Sequence, residues 1–211
     1  AKLKQETPHV GFSHPEWLVN RWTQRWGTDK TAALLEWNNT PPLSYARVNT
    51  LKVEAAKLLD QWRRENVDYD FVHRSWFEEN LVFRLKSHPP LAELPSFKQG
   101  LFYIQDPSTL LAAVELGPKP GEQILDLCAA PGGKLSYIVQ LMGNQGSVVA
   151  HETGPDRLEL IKQNSIRLGL SCAETIGPGL PELMRGRFDR VLVDVPCSNT
   201  GVIRRRVDLR G

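Results

Sequence analysis

Three short stretches carry the residue types from which chemistry could be built. The first is ILDLCAAPGGK, Ile124 to Lys134. An apolar run ends in Pro131-Gly132-Gly133 and opens a helical pattern, so backbone can approach a ligand where side chains are absent. This suits a nucleotide-like cofactor, although the dinucleotide spacing G-x-G-x-x-G and the P-loop G-x-x-x-x-G-K-[ST] are both missing. An ordinary strand-to-helix turn is the bland alternative. The second feature is Glu152, 26 positions after Asp126 (152 − 126) and just past another apolar run. An acid at that separation accepts hydrogen bonds from ribose hydroxyls in nucleotide-binding folds, and a solvated loop acid is the competing reading.

The third stretch is DVPCSNTG, Asp194 to Gly201. An acid, a proline that fixes the backbone and a cysteine follow the end of a strand pattern, and such a thiol is a nucleophile once its proton is lost. The other two cysteines read as small packing residues, Cys128 inside the first motif and Cys172 in an apolar stretch. Basic charge gathers nearby. Between Arg185 and Arg210 there are seven arginines against three acids, a surplus of four, with Arg204-Arg205-Arg206 in a row. A basic surface beside a cleft suits a polyanion, while a charge run is commonly only a solvated face.

These residues need a scaffold, and the chain supplies alternating patterns from about Gln123 onward. Strands are expected at Gln123–Cys128, Ser147–Ala150 and Arg190–Val195, with a weak one around Ser171–Ile176. Helices are expected at about Lys134–Met142 and Pro155–Leu168, the latter with Leu158, Ile161 and Ile166 inward. Such alternation builds a doubly wound parallel sheet whose ligands sit at the carboxyl ends of the strands.

The earlier part differs in composition. All six tryptophans lie within the first 76 residues. Ser13, Pro15 and Glu16 have the spacing of a capped helix start, followed by Trp17, Leu18, Trp22 and Trp26. A second helix is expected at Lys30–Trp37, a strand at Ser44–Val48, a helix at Lys52–Arg64, and strands at Phe71–Phe77 and Asn80–Leu85. The sum is a small α+β module. HPPLAELPSFKQG, from His88 to Gly100, reads as a linker, which divides the chain into residues 1–95 and 96–211.

Whole-chain quantities bound the function without choosing it. The 211 residues are 41% hydrophobic and 24% charged, so a sizeable core is available and disorder or coiled coil is excluded. No run approaches the ~20 apolar residues of a membrane span. An odd count of three cysteines is no disulfide framework and favours a reducing, cytoplasmic setting. The formal charge of +2 decides nothing about partners.

Taken together the segments resemble the Sun (Fmu) family of RNA cytosine-C5 methyltransferases. The likeness runs through HPEWLVNRW (His14–Trp22), RVNTLK (Arg47–Lys52), FYIQDPSTLLA (Phe102–Ala112), LDLCAAPGGK, and FDRVLVDVPCSNTGVIRR (Phe188–Arg205). Its opening is most similar to the bacterial small-subunit ribosomal RNA branch. The resemblance implies a Rossmann-like catalytic domain using S-adenosyl-L-methionine, preceded by a small RNA-contacting α+β module, acting on RNA, expected to be ribosomal, without metal or membrane. It implies that Cys128, Ala129, Ala130, Pro131, Gly132, Gly133 and Lys134 surround the methionine and ribose of the cofactor. Glu152 would take the ribose hydroxyls, where the family more often has Asp. Asp194 would lie against cofactor and cytosine, Cys197 would face the base, and Gln105-Asp106-Pro107 would join the modules.

The chemistry accounts for these residue types. Cytosine C5 is a poor nucleophile, so a thiolate adds to C6 and makes C5 enamine-like; C5 then takes the sulfonium methyl group, and a base removes the C5 proton so that the thiol can leave. A carboxyl group at the N3 edge stabilises the charge that shifts there. The base must leave its stack to reach such a pocket.

Two departures follow from the resemblance. The family's attacking cysteine belongs to a Thr-Cys motif dozens of residues beyond Pro-Cys-Ser, whose own cysteine assists product release. The sequence ends at Gly211, fourteen residues after Cys197, so the chain is expected to be cut at both ends and Cys197 is its one candidate nucleophile. Between Ser171 and Phe188 stand Glu174 and Glu182 but no Asp to meet an adenine. The alternative function is therefore a catalytically incomplete fragment that binds RNA and cofactor. A small-molecule methyltransferase is disfavoured by Pro-Cys-Ser and the arginine run.

Overall fold

Four short helices open the chain: α1 (Lys2–Glu6), α2 (Pro8–Gly11), α3 (Glu16–Trp26) and α4 (Thr28–Asn38). The computed structural model describes residues 2–179, 186–206 and 208, so Glu182, Arg185 and Arg210 lie outside the described residues. The described parts of 1–42 and 196–211 form one compact unit and residues 43–195 another.

In the first unit, α3 and α4 bury Leu18, Val19, Trp22 and Leu35 with Phe12 and Ile203. The capping expected of Ser13 is not formed. Ser13 adopts φ +54, and the N-cap is Pro15, which has no side chain to accept a hydrogen bond. Trp17, Trp26 and Trp37 stay on the surface at 60%, 44% and 55% exposure. Arg204 lies over the Trp37 ring, 4.0 Å from its centroid, and donates to the carbonyls of Thr40 and Pro41.

The second unit begins with a β–α–β–β–α–β run: β1 (Ser44–Val48), α5 (Ala55–Arg64), β2 (Asp68–Phe71), β3 (Val82–Ser87), α6 (Pro95–Lys98) and β4 (Phe102–Ile104). The strands form an antiparallel sheet in the order β2-β3-β1-β4. Its core is aromatic, with Trp62 from α5 wholly buried against Tyr69, Phe83 and Phe102. The strand expected at 71–77 is instead β2, centred four residues earlier, because Phe71 pairs with Phe83 and Tyr69 with Leu85. The fourth strand lies past the seam expected at 95/96, held there by its pairing with β1. The stretch read as a linker holds a short 3-10 turn, Leu91–Glu93, and α6, whose Ser96 is buried.

From Leu110 the pattern changes to α7 (Leu110–Leu116), β5 (Gln123–Asp126), α8 (Gly133–Leu141), β6 (Ser147–His151), α9 (Pro155–Leu168), β7 (Ala173–Ile176) and β8 (Arg190–Leu192). The strands are parallel in the order β7-β6-β5-β8. Ile124, Val148 and Ala150 are fully buried, as befits a sheet covered on both faces. On α9, Ile161 points inward as expected, while Ile166 is 80% exposed. Leu168 fills the inner position two turns on from Ile161, two residues after Ile166.

Candidate cofactor-binding and catalytic site

The site is built where the parallel strands end. Asp126 closes β5 and sits between Ala150 of β6 and Leu192 of β8, so strands on both sides seal it from water. It is 1% exposed, and neither carboxylate oxygen has a hydrogen-bond partner among the described residues. Burial raises its pKa from 3.8 to about 6, opposed first by the neighbouring Cys128 backbone N–H and then by Lys134, and reinforced by Asp194 and Glu152.

The chain then leaves the sheet in a hydrogen-bonded turn. Leu127 N–H donates to Leu192 O at 3.0 Å, Ala129 N–H to His151 O at 3.1 Å, and Gly132 N–H to Ala129 O at 2.7 Å. Gly132 caps α8 with φ +101, a conformation that glycine reaches without a Cβ penalty. A Cβ on Gly133 would stand 3.2 Å from the Tyr103 ring and 3.3 Å from Gln105 Nε2, so the turn is packed closely against the end of β4. The Cys128 thiol is pushed up by burial first, and then by the neighbouring Glu152 and Asp126, which disfavours a thiolate there.

Two further acids and one lysine complete the edge. Glu152 follows β6 directly and is 5% exposed. Its Oε1 accepts from the N–H groups of Thr153 (2.9 Å) and Gly154 (3.3 Å), and its Oε2 faces Arg157 Nη2 at 3.0 Å. Lys134, in the first turn of α8, donates to Asp194, two residues past β8. The structure thus gathers the Cys128–Lys134 turn, Glu152 and Asp194 at the carboxyl ends of β5, β6 and β8. A glycine turn beside three carboxyl groups, two of them paired with Lys134 and Arg157, suits a ligand that carries amino and hydroxyl groups.

Cys197 belongs to the other compact unit. It is exposed, and Asn199 N–H donates to its sulfur at 3.4 Å. The arginine run is largely engaged: Arg204 with Trp37, Arg206 with Asp208, and Arg190 with Glu122 through two hydrogen bonds of 2.7 and 3.0 Å. Among the described residues no group of three His, Cys, Asp or Glu side chains could hold a metal ion, and no helix is long and apolar enough to cross a membrane.

Sequence reasoning used Asp126 only as a spacing mark, although a carboxylate ending a fully apolar parallel strand was the available signal. RVNTLK carried only a likeness. In the structure its Arg47, Asn49 and Lys52 all reach the helices of the parallel-sheet layer.

Comparison with known proteins matches both layers. Residues 113–211 match the sequence model described as 16S rRNA methyltransferase RsmB/F, and residues 14–82 the RsmF/B-like ferredoxin-like domain. The chain is 40% identical to the probable ribosomal RNA small subunit methyltransferase B of Bacillus subtilis, over 94% of this chain and 44% of that protein. It is 35% identical to the mouse 28S rRNA (cytosine-C(5))-methyltransferase, over 91% of this chain and 24% of that one. A methyltransferase homologue from Pyrococcus horikoshii of known structure superposes with a TM-score of 0.74 at 33% identity, covering 95% of this chain and 65% of its own. The chain therefore spans less than half the length of these curated relatives. Matched through its antiparallel sheet and its Rossmann-like sheet in the same order, the chain belongs to the RsmB/F methyltransferase family.

Proposed function

We propose that this chain carries the cofactor site and base-facing loop of an enzyme that methylates C5 of a cytosine in RNA, with ribosomal RNA as substrate. S-adenosyl-L-methionine is its cofactor. The observation that carries the reading is the buried carboxylate of Asp126 beneath the Gly132 turn, with Glu152 and Asp194 just past the ends of the flanking strands. That donor set fits a sulfonium cofactor with a cationic amino group and ribose hydroxyls. When bound, the cofactor supplies an electrophilic methyl group.

The chain's own residues have separate tasks in this reading. Cys128 to Lys134 form the turn against which the methionine and ribose parts lie. Glu152 accepts from ribose hydroxyls. Its carboxylate is already oriented by two backbone N–H groups, so little ordering is left at the moment of binding. Asp194 is fixed by Lys134 at the strand end and holds the N3 edge of the cytosine. In the family pattern the Cys197 thiol is the one that assists product release. In the first unit, exposed Trp17 and Trp37 offer flat faces for unstacked RNA bases, the latter backed by Arg204. In this reading the enzyme works in the cytoplasm.

Calorimetric titration with S-adenosylhomocysteine, the demethylated cofactor, tests the reading, and no heat of binding would reject it. Methyl transfer to RNA by the 211-residue chain, abolished in Cys197→Ser, would make Cys197 the attacking thiol. Binding without transfer supports the alternative, a chain that holds cofactor and RNA but lacks the nucleophile.

A further inference from the structure

Two arginines connect the antiparallel sheet to the glycine turn, each through one intermediate side chain. Arg47 lies on β1, 2% exposed, with no carboxylate among its hydrogen-bond partners in the described residues. Its Nη2 donates to Ser136 Oγ at 2.6 Å, and Ser136 Oγ donates in turn to Gly133 O at 2.9 Å. Its Nη1 donates to Gln140 Oε1 at 2.9 Å, one turn further along α8, and the guanidinium packs on the Tyr137 ring. On the other side, Arg167 of α9 donates to the carbonyls of Phe97 (3.0 Å) and Phe102 (3.3 Å). Its Nη2 donates to Asn164 Oδ1 at 3.1 Å, and Asn164 Nδ2 donates to Pro131 O at 2.8 Å. Pro131 and Gly133 flank Gly132, so both sides of the turn are tied to the neighbouring layer.

Stability gives no reason for Arg47. A guanidinium buried without a counter-charge pays a desolvation cost that an apolar side chain of equal size would not, and burial accordingly lowers its pKa to about 10. What the arginine contributes is a rigid fork that reaches two residues of α8 one turn apart.

We propose that Arg47 and Arg167 are positioning residues for the cofactor turn, setting Gly133 through Ser136 and Pro131 through Asn164. The small antiparallel module is thereby part of the cofactor site, although it supplies no residue to the Gly132 turn itself. This inference rests on the cofactor reading above.

The test uses the full chain as wild type, Arg47→Met and Asn164→Ala. Affinity for S-adenosylhomocysteine, thermal midpoint, and hydrogen exchange of residues 128–136 are measured on each. Both variants are expected to bind about fivefold or more weakly and to exchange faster in that segment, with the Asn164→Ala midpoint within about 2 °C of wild type. Unchanged affinity in both variants overturns the relay, as does a loss that disappears once each is assayed equally far below its own midpoint. If wild type binds no cofactor, the functional reading fails separately, and unaltered exchange in the variants then overturns the relay.

Discussion

Gly100 lies directly against the main chain of Arg167: a Cβ at residue 100 would stand 1.9 Å from the Arg167 carbonyl oxygen. The same helix end receives two side chains from RVNTLK. Asn49 Nδ2 donates to Leu168 O at 2.8 Å, and Lys52 Nζ to Arg167 O at 2.7 Å, satisfying carbonyls that the end of α9 leaves open. Gly100 also has φ +71, so a side chain there meets both a steric and a conformational penalty. Gly100→Ala should therefore destabilise the chain by about 2–4 kcal/mol. Thermal denaturation measures this. An unchanged midpoint would mean that the two layers are not held in this contact.

That contact also shows what could and could not be read from residue order. The parallel-sheet layer was legible because its signals are local. Apolar runs of four or five residues alternate with amphipathic stretches, and Pro155–Leu168 is a helix over the expected residues. The glycine turn, Glu152 and Asp194 were legible for the same reason, since strand ends place them. In sequence Gly100 reads as punctuation in a linker, because a glycine required by close approach looks like one required by a turn. Arg47 was likewise hidden. It interrupts a strand whose neighbours Ala46 and Val48 are fully buried, and its partners Ser136 and Gln140 lie about ninety residues away. Ile166 failed in the other direction: an apolar type at roughly helical spacing proved 80% exposed, because Ile161 and Leu168 already fill the inward stripe.

Asp126 gives a pH dependence of defined sign. Its folded pKa of about 6 exceeds the ordinary 3.8, so between these values the folded state binds more protons than the unfolded one. Stability from this group is then present below about pH 4 and is lost as pH rises through 6, amounting to about 3 kcal/mol. Asp126→Asn should raise the thermal midpoint at pH 7 and flatten the profile between pH 4 and 7. A profile of the same slope in the variant would show that another group titrates there.

Trp62 is the centre of the antiparallel layer, with ring centroids of Tyr69, Phe83 and Phe102 at 5.6, 5.7 and 5.2 Å. Its indole N–H has no hydrogen-bond partner among the described residues. Trp62→Ala should cost about 3–5 kcal/mol through the cavity it leaves. Trp62→Phe should cost distinctly less, because it leaves a smaller cavity while removing the same unpaired donor. Chemical denaturation of both variants checks the order, and equal losses would show that the indole's own contacts, not the volume it fills, hold the site.

The Lys134–Asp194 pair ties the first turn of α8 to the loop after β8 and can be taken apart from either side. With Asp194 about half exposed, the pair adds little to folding, so neither substitution should move the thermal midpoint by more than a few degrees. Ligand binding is where the two differ. Asp194→Ala removes a carboxylate that the proposed site uses directly, and affinity for S-adenosylhomocysteine should fall about tenfold. Lys134→Met leaves that carboxylate in place but withdraws the positive charge that restrains the Asp126 pKa. The acidic limb of the stability profile should then move to higher pH, whereas Asp194→Asn, which removes a neighbouring negative charge, should move it lower. Calorimetry on Asp194→Ala and pH-dependent unfolding of the other two variants check both halves. Loss of binding in Lys134→Met with none in Asp194→Ala would transfer the ligand contact to the lysine. Movement of both profiles in one direction would mean that the pair reshapes the turn and does not act through charge.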